Sequence, residues 1–441
     1  MSATDNHGVA TTSLAETATA LGTAEQQTPK NPNPQMGEHQ KPSLATRLLG
    51  GGFGLSVGAM VAAFIVGGLL IAVTDTATQK AFSYFFARPS DTFVAAWDAA
   101  SEAYIALFEG SIFNFSATSF TKAIYPLMET LTVSTPLILA GLAVAIAFRT
   151  GLFNIGAQGQ IILGAIVSTY VAITWNLPIY LMLPMIVLGG IVGGGLWGGL
   201  IGLLKAKTGA HEVILSIMLN YIAANLLLYL LKTPLLQRPG NTNPISPTFE
   251  ENAIFPLLLG SSFRLHWGFV IAVLAVVFVS WLLNRSTTGF RLRAVGANPH
   301  AAQTAGISVA RGYILVMAIA GALAGLAGST QVSGTEQVLS TGVASSFGFD
   351  AITVALLGRS TPWGTFFAAL LYGAFRAGGV SMQVDTGTPI DLVLVVQAMI
   401  VLFIAAPPLV RAIFRLPDPS GKKKPKKAKK ARKSVVASEA K

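Results

Sequence analysis

The sequence predicts an all-α, polytopic membrane protein of about ten transmembrane helices. Three observations carry that fold class. Mean hydropathy over the 441 residues is +0.60, and only 11% of residues are charged. Apolar runs of about 20 residues, long enough to cross a hydrocarbon core as helix, recur along the chain. No stretch alternates apolar and polar residues as membrane strands do.

Taken in order, the runs fall near 52–74, 122–148, 157–175, 179–204, 212–231, 267–284, 312–333, 346–358, 362–380 and 390–412. The third and eighth are short or broken by glycine. Spans 2–5 and 7–10 read as two related halves, each with a short second member, and paired interrupted spans point to a transport site. Residues 1–47 form a polar, slightly acidic tail with no apolar core, so no cleavable signal peptide is expected there. Residues 48–412 form the membrane domain, and 413–441 a basic, disordered tail.

Basic residues in short loops orient the spans. Lys41 and Arg47 precede span 1, Arg149 follows span 2, and Lys205 and Lys207 follow span 4. Arg285, Arg291, Arg293 and Arg311 surround the loop between spans 6 and 7; Arg359 lies between spans 8 and 9. An even number of crossings with both termini in the cytoplasm puts all of these inside. The outside receives the longer segments 75–121 and 232–266. In the first, Phe93 to Gly110 has helical apolar spacing and reads as lying on the membrane surface. In the second, Pro239 to Pro247 is turn chemistry.

The net charge of +11 is concentrated: Gly421 to Lys433 holds eight lysines and Arg432, and without them the chain carries +2. A tail of this kind is read as touching anionic lipid, with no nucleic acid as partner. The absence of cysteine removes disulfides, thiolate metal sites and a cysteine nucleophile. No phosphate loop, HExxH or nucleophile elbow is present, and the five histidines give no ligand cluster. No catalytic residue, metal site or bound cofactor is therefore expected, and the chain has no ATPase of its own.

Four groups of residues stand out. Gly289 to Ile307 is a loop with its own short helix: Asn298 suits the N-cap, Pro299 the first helical position and Gly306 the C-terminal stop. With Arg291, Arg293 and Gln303 it reads as a docking surface for a soluble partner. RTGLFNIGAQGQ, 149–160, brings Asn154, Gln158 and Gln160 into apolar surroundings. These amides either brace a broken helix through internal hydrogen bonds or line a path. Small residues four apart, Gly189/Gly193, Gly190/Gly194, Gly194/Gly198 and Gly195/Gly199 in span 4 and Gly321/Gly325 in span 7, allow close helix contact within the subunit or between subunits. The membrane charges are Glu129, Asp350, Arg376 and Asp391. The last three are placed towards the outer face and Glu129 deeper, with Asn220, Tyr221 and Gln397 as uncharged polar positions suited to a polar solute.

RTGLFNIGAQGQ, GANPHAAQTAGI, GFDAITVALLGRSTP and HEVILSIMLNYIA resemble the permease subunits of bacterial ABC importers of the branched-chain amino acid and simple sugar superfamily, nucleoside permeases above all. The likeness covers about residues 120 to 412. Where that family commonly carries glutamate after GLFNIGA, this chain has Gln158. The resemblance implies a type II importer permease in the bacterial plasma membrane. It also implies a second homologous permease, an ATPase subunit with two nucleotide-binding cassettes that uses the ATP, and an external substrate-binding lipoprotein. Pro299 to Ala305 would be the coupling helix. Nucleosides are the implied solute, with a simple sugar or an ion-coupled secondary transporter as alternatives.

Overall fold

The computed structural model describes residues 52–414, and among them there is no strand, only the isolated bridges Ile245–Ser340 and Leu257–His266. The readings made for residues 1–47 and for the lysine tail lie outside the described residues.

The helices are α1 (Gly52–Thr74), α2 (Thr76–Phe82), α3 (Pro89–Glu109), α4 (Phe120–Arg149), α5 (Ala157–Thr174), α6 (Ile179–Thr208) and α7 (Glu212–Leu230). They continue with α8 (Gly268–Arg285), α9 (Thr287–Ala297), α10 (Pro299–Thr304), α11 (Val309–Thr330), α12 (Phe347–Leu357), α13 (Pro362–Thr386), α14 (Ile390–Ala405) and α15 (Pro407–Phe414). Seven of these are long and apolar enough to cross a membrane: α1, α4, α5, α6, α7, α8 and α11 with the π-helical turn Gln331–Glu336 that extends it. The other three expected spans differ for physical reasons. The eighth is α12, whose 11 residues reach about 16 Å, half a hydrocarbon core. The ninth, α13, has 25 residues but carries Arg376, Gln383 and Asp385. The tenth divides at Pro407 into α14 and α15.

Local chemistry sets the boundaries. Side-chain oxygens of Ser119, Ser286, Ser308 and Thr361 accept from the backbone N–H three residues on, and so cap α4, α9, α11 and α13. Gly209 and Gly387 end α6 and α13 in the left-handed conformation. Inside α4, Pro126 and Pro136 remove backbone donors, while the Thr132, Ser134 and Thr135 hydroxyls donate to carbonyls four residues back.

Packing bears out two related halves. In the first half α5 lies on α6, and both lie on α11; in the second, α12 lies on α13, and both lie on α4. Exchanging spans 2, 3, 4 and 5 with 7, 8, 9 and 10 maps one set of contacts onto the other. The C-terminal end of α4 abuts Gly296, just upstream of α11, so α4 and α11 run in opposite directions. The glycine rows pack within the subunit: a Cβ on Gly194 would strike the Gly321 carbonyl, and one on Gly325 the Gly190 carbonyl. Backbone therefore touches backbone across α6 and α11.

The expected surface helix 93–110 is α3, but it does not lie flat. Leu107 and Ser111 pack against Gly378 of α13, and the Ser111 carbonyl accepts from Thr130 Oγ1 at 2.6 Å. Its C-terminal end thus descends into the bundle.

Candidate functional site: a polar seam and a coupling loop

The start of α5 and the start of the half-helix α12 meet, and Gln158 joins them. Its Nε2 donates to the Ser345 carbonyl at 2.7 Å, and its Oε1 accepts from the Gly348 N–H at 2.9 Å. The other amides brace this junction. Asn154 and Gln160 are fully buried and hydrogen-bond each other twice, at 2.9 and 3.1 Å. Asn220 of α7 accepts from the Gly159 N–H at 2.9 Å and donates to the Ile155 carbonyl at 3.0 Å, satisfying backbone left open where α5 begins.

Around Gln158 lies a charged cluster. Asp350 accepts from the Ser346 hydroxyl at 2.7 Å and pairs with Arg376 at 3.5 Å. Arg376 also donates to the Ser345 hydroxyl at 2.6 Å and lies 4.4 Å from the centre of the Phe347 ring. Ser345, Ser346 and Phe349 are exposed, so the cluster is on the surface of this subunit.

Depth corrects one expectation. The Ser360 carbonyl, just after α12, accepts from Arg149 at 2.9 Å, so α12 ends at the coupling-loop end of the bundle. Asp350 precedes Leu357 by seven residues and is about 10 Å in from that end. Glu129 is twenty residues from Arg149, about 30 Å away, and pairs with Arg264 of the 232–266 segment at 2.9 Å. Asp350 is thus the deep charge, and Glu129 belongs to the far rim. Sequence hydropathy put them the other way round because it took α12 for a full span. Asp391 is exposed in the first turn of α14, where a carboxylate suits the helix dipole. Gln397 is buried in α14, whose Val393, Val396 and Ile400 form a core with α1. Ser345 and Ser346 were absent from the sequence-derived set, and Arg376 was named there only as a membrane charge, without its pairing to Asp350; the available signal was an acid and a base in consecutive spans.

The coupling loop is built as its caps predict. Asn298 Oδ1 accepts from the Ala301 N–H at 3.1 Å, Pro299 opens α10, and Gly306 closes it at φ 78°. Of α10 only Ala302 is buried, so Pro299, His300 and Gln303 face outwards. The sequence did not separate α9, which carries Arg291 and Arg293 ahead of α10. Arg291 lines a groove of about 730 Å³ with Phe290, Arg311 and Leu315, while Arg293 is half-buried. The loop rests on the membrane body through two glycines: a Cβ on Gly151 would meet Gly296, and one on Gly296 would meet Thr150. At the same end Lys205 pairs with Glu212 at 2.7 Å, tying α6 to α7.

On the opposite end, His266 is buried against Phe255 and accepts from the Gly268 N–H at 3.1 Å. Burial, and then the nearby Arg264 charge, push its pKa down to about 4, so it is neutral near pH 7.

Seven helices long and apolar enough to cross a membrane, joined by loops that include an outward-facing punctuated one, define a multi-pass membrane protein. Residues 127–405 match the family described as branched-chain amino acid transport system, permease component, and the chain belongs to that family. It is 41% identical over 292 residues to a guanosine ABC transporter permease of Bacillus subtilis (strain 168), covering 66% of this chain and 84% of that one. It is 39% identical over 285 residues to a nucleoside ABC transporter permease of Lactococcus lactis subsp. cremoris, covering 63% and 78%. A glucose ABC transporter permease of Haloferax volcanii is 38% identical over 289 residues, covering 64% and 76%. No solved structure matches the chain.

Proposed function

We propose that this chain forms the membrane path of an ATP-driven importer of nucleosides. The observation that carries the reading is the seam at mid-depth, where Ser345 and Ser346 are exposed and Asp350 and Arg376 half-buried beside them. Polar and charged groups at that depth do not face hydrocarbon; they face a water-filled path or a protein partner. The seam holds its one carboxylate and one guanidinium as a pair, and its other groups are neutral donors and acceptors. That chemistry suits a neutral, hydroxyl-rich solute better than an ion.

In this reading a second homologous permease closes the path, and an external lipoprotein delivers the solute. An ATPase subunit with two nucleotide-binding cassettes seats the coupling helix through Arg291, Arg293, Asn298, Pro299, Gln303 and Gly306. The ATP belongs to that subunit; this chain binds no cofactor and no metal. A push on α10 passes through the Gly296–Gly151 contact to the non-helical segment 151–156, and from there to Gln158 and the half-helix. Asn154, Gln160 and Asn220 hold the moving piece together, and Glu129 and Gln397 stabilise the frame rather than touch solute. The chain lies in a bacterial plasma membrane with both termini cytoplasmic, as the basic loops favour, and its lysine tail rests on anionic lipid.

The guanosine and nucleoside names of two relatives support the solute class. The glucose permease supports a simple sugar as second reading. The test is uptake of labelled uridine, adenosine, ribose, glucose and leucine in cells with and without the gene. Loss of nucleoside uptake alone is the expected result. Loss of sugar uptake alone establishes the second reading, and uptake of all five unchanged in a strain lacking other nucleoside importers contradicts the first.

A further inference from the structure

We propose that the cleft between the C-terminal end of α8 and the N-terminal end of α13 binds an acidic phospholipid from the leaflet at the coupling-loop end. Val277, Ser280, Trp281, Asn284 and Arg285 form one wall and Trp363 the other, around a volume of about 490 Å³. Arg285 is exposed and has no ion-pair partner among the described residues. No carboxylate lines the cleft. It therefore offers one uncompensated cation beside an amide and a hydroxyl, a donor set that fits a phosphodiester.

The flanking residues specify lipid rather than a free anion. Trp281 and Trp363 are 54% and 47% exposed, with indoles suited to the headgroup boundary. Deeper along the same two helices, Leu274, Val277 and Phe278 of α8 and Phe367 of α13 are exposed and apolar. This surface continues from the cleft into the span and gives acyl chains a track. A soluble protein would meet the headgroup part alone.

A second copy of this chain fits less well. Among the described residues, Glu212 is the carboxylate at the coupling-loop end, and Lys205 already holds it at 2.7 Å. No other acidic group among the described residues of such a copy would meet Arg285 at that level. An acidic lipid neutralises the single charge, whereas an ethanolamine headgroup brings a cation for which the cleft holds no anion.

The test uses the intact permease complex equilibrated with phosphatidylethanolamine vesicles containing about 30% phosphatidylglycerol, then purified and analysed by native mass spectrometry. Wild type and Arg285→Lys are expected to retain phosphatidylglycerol over phosphatidylethanolamine. Arg285→Gln should retain less by a factor on the order of five, and Trp363→Leu should weaken retention of both lipids. Arg285 is exposed at a helix end, so the Arg285 variants keep the fold. Equal phosphatidylglycerol retention by Arg285→Gln and wild type overturns the proposal. So does a loss of lipid that occurs only together with loss of the second permease, which would make the cleft a subunit contact. The readout does not depend on the transported solute.

Discussion

Where α6 crosses α11, Gly190 and Gly194 lie against the backbone of Gly325 and Gly321, and neither helix has room for a methyl group. At the equivalent crossing of the second half, α13 on α4, side chains stand nearest: Gly373 faces the Ser134 hydroxyl ahead of the Thr130 carbonyl, and Gly141 faces Thr365 of α13 and Val354 of the neighbouring α12. The polar seam stands beside this second crossing, because Arg376 is three residues beyond Gly373. Two halves that share one arrangement of helices have divided the work. Backbone-to-backbone contact leaves few alternative packings and fixes one half. Side-chain contact beside the polar seam leaves the other half adjustable, which suits the path proposed above.

Gly325→Ala attacks the fixed crossing and has the largest expected effect on the fold. The added methyl would overlap the Gly190 carbonyl, so the helices must separate, at about 3 kcal/mol or more. Thermal unfolding in detergent measures it; a melting temperature within one or two degrees of wild type would show that the crossing is not rigid. Asp350→Asn attacks the adjustable side. It leaves Arg376 half-buried without its carboxylate, and uptake is expected to fall roughly 10- to 100-fold while the protein remains folded. Wild-type uptake in that variant would remove Asp350 from the path.

His266 tests the outer end of the fixed side, where it packs against Gly334 and Thr335 beyond α11. Its folded pKa of about 4 lies below the ordinary 6.5, so the folded state binds fewer protons than the unfolded state between those values. Stability is therefore complete above pH 6.5 and declines as pH falls towards 4, by up to roughly 3 kcal/mol. His266→Gln should flatten that part of the stability–pH curve, and an unchanged slope would assign the titration elsewhere. Thr365→Val has the smallest expected effect. The Thr365 hydroxyl is buried without a hydrogen-bond partner, so its removal should change stability by less than about 1 kcal/mol, in either direction.

Sequence reasoning reached the elements whose signal is local. Asn298, Pro299 and Gly306 announce α10 because capping depends on residues within one turn, and the glycine rows announce close packing because four-residue spacing puts them on one face. It reached less of what depends on distant partners. The amides of Asn154, Gln158 and Gln160 looked alike in sequence; only the fold shows that two of them pair with each other while the third reaches across 190 positions to Gly348. The extent of α12 was legible, 346–358 expected against Phe347–Leu357 found, but counting so short a helix as a full crossing put its first residues at the outer face and inverted the depths of Asp350 and Glu129. Arg376 was visible as a charge, but its pairing required α12 and α13 to be side by side.

The central claim is that the Ser345–Asp350 surface faces water at mid-depth. The chain has no cysteine, so a single Ser346→Cys substitution gives one reactive thiol with no background. The measurement is its labelling in intact membranes by a small, charged, membrane-impermeant thiol reagent, beside Leu196→Cys on the exposed apolar face of α6 as comparison. The account predicts labelling at 346 that transported solute slows, and no labelling at 196. An unreactive thiol at 346 in a folded, transporting protein would contradict it.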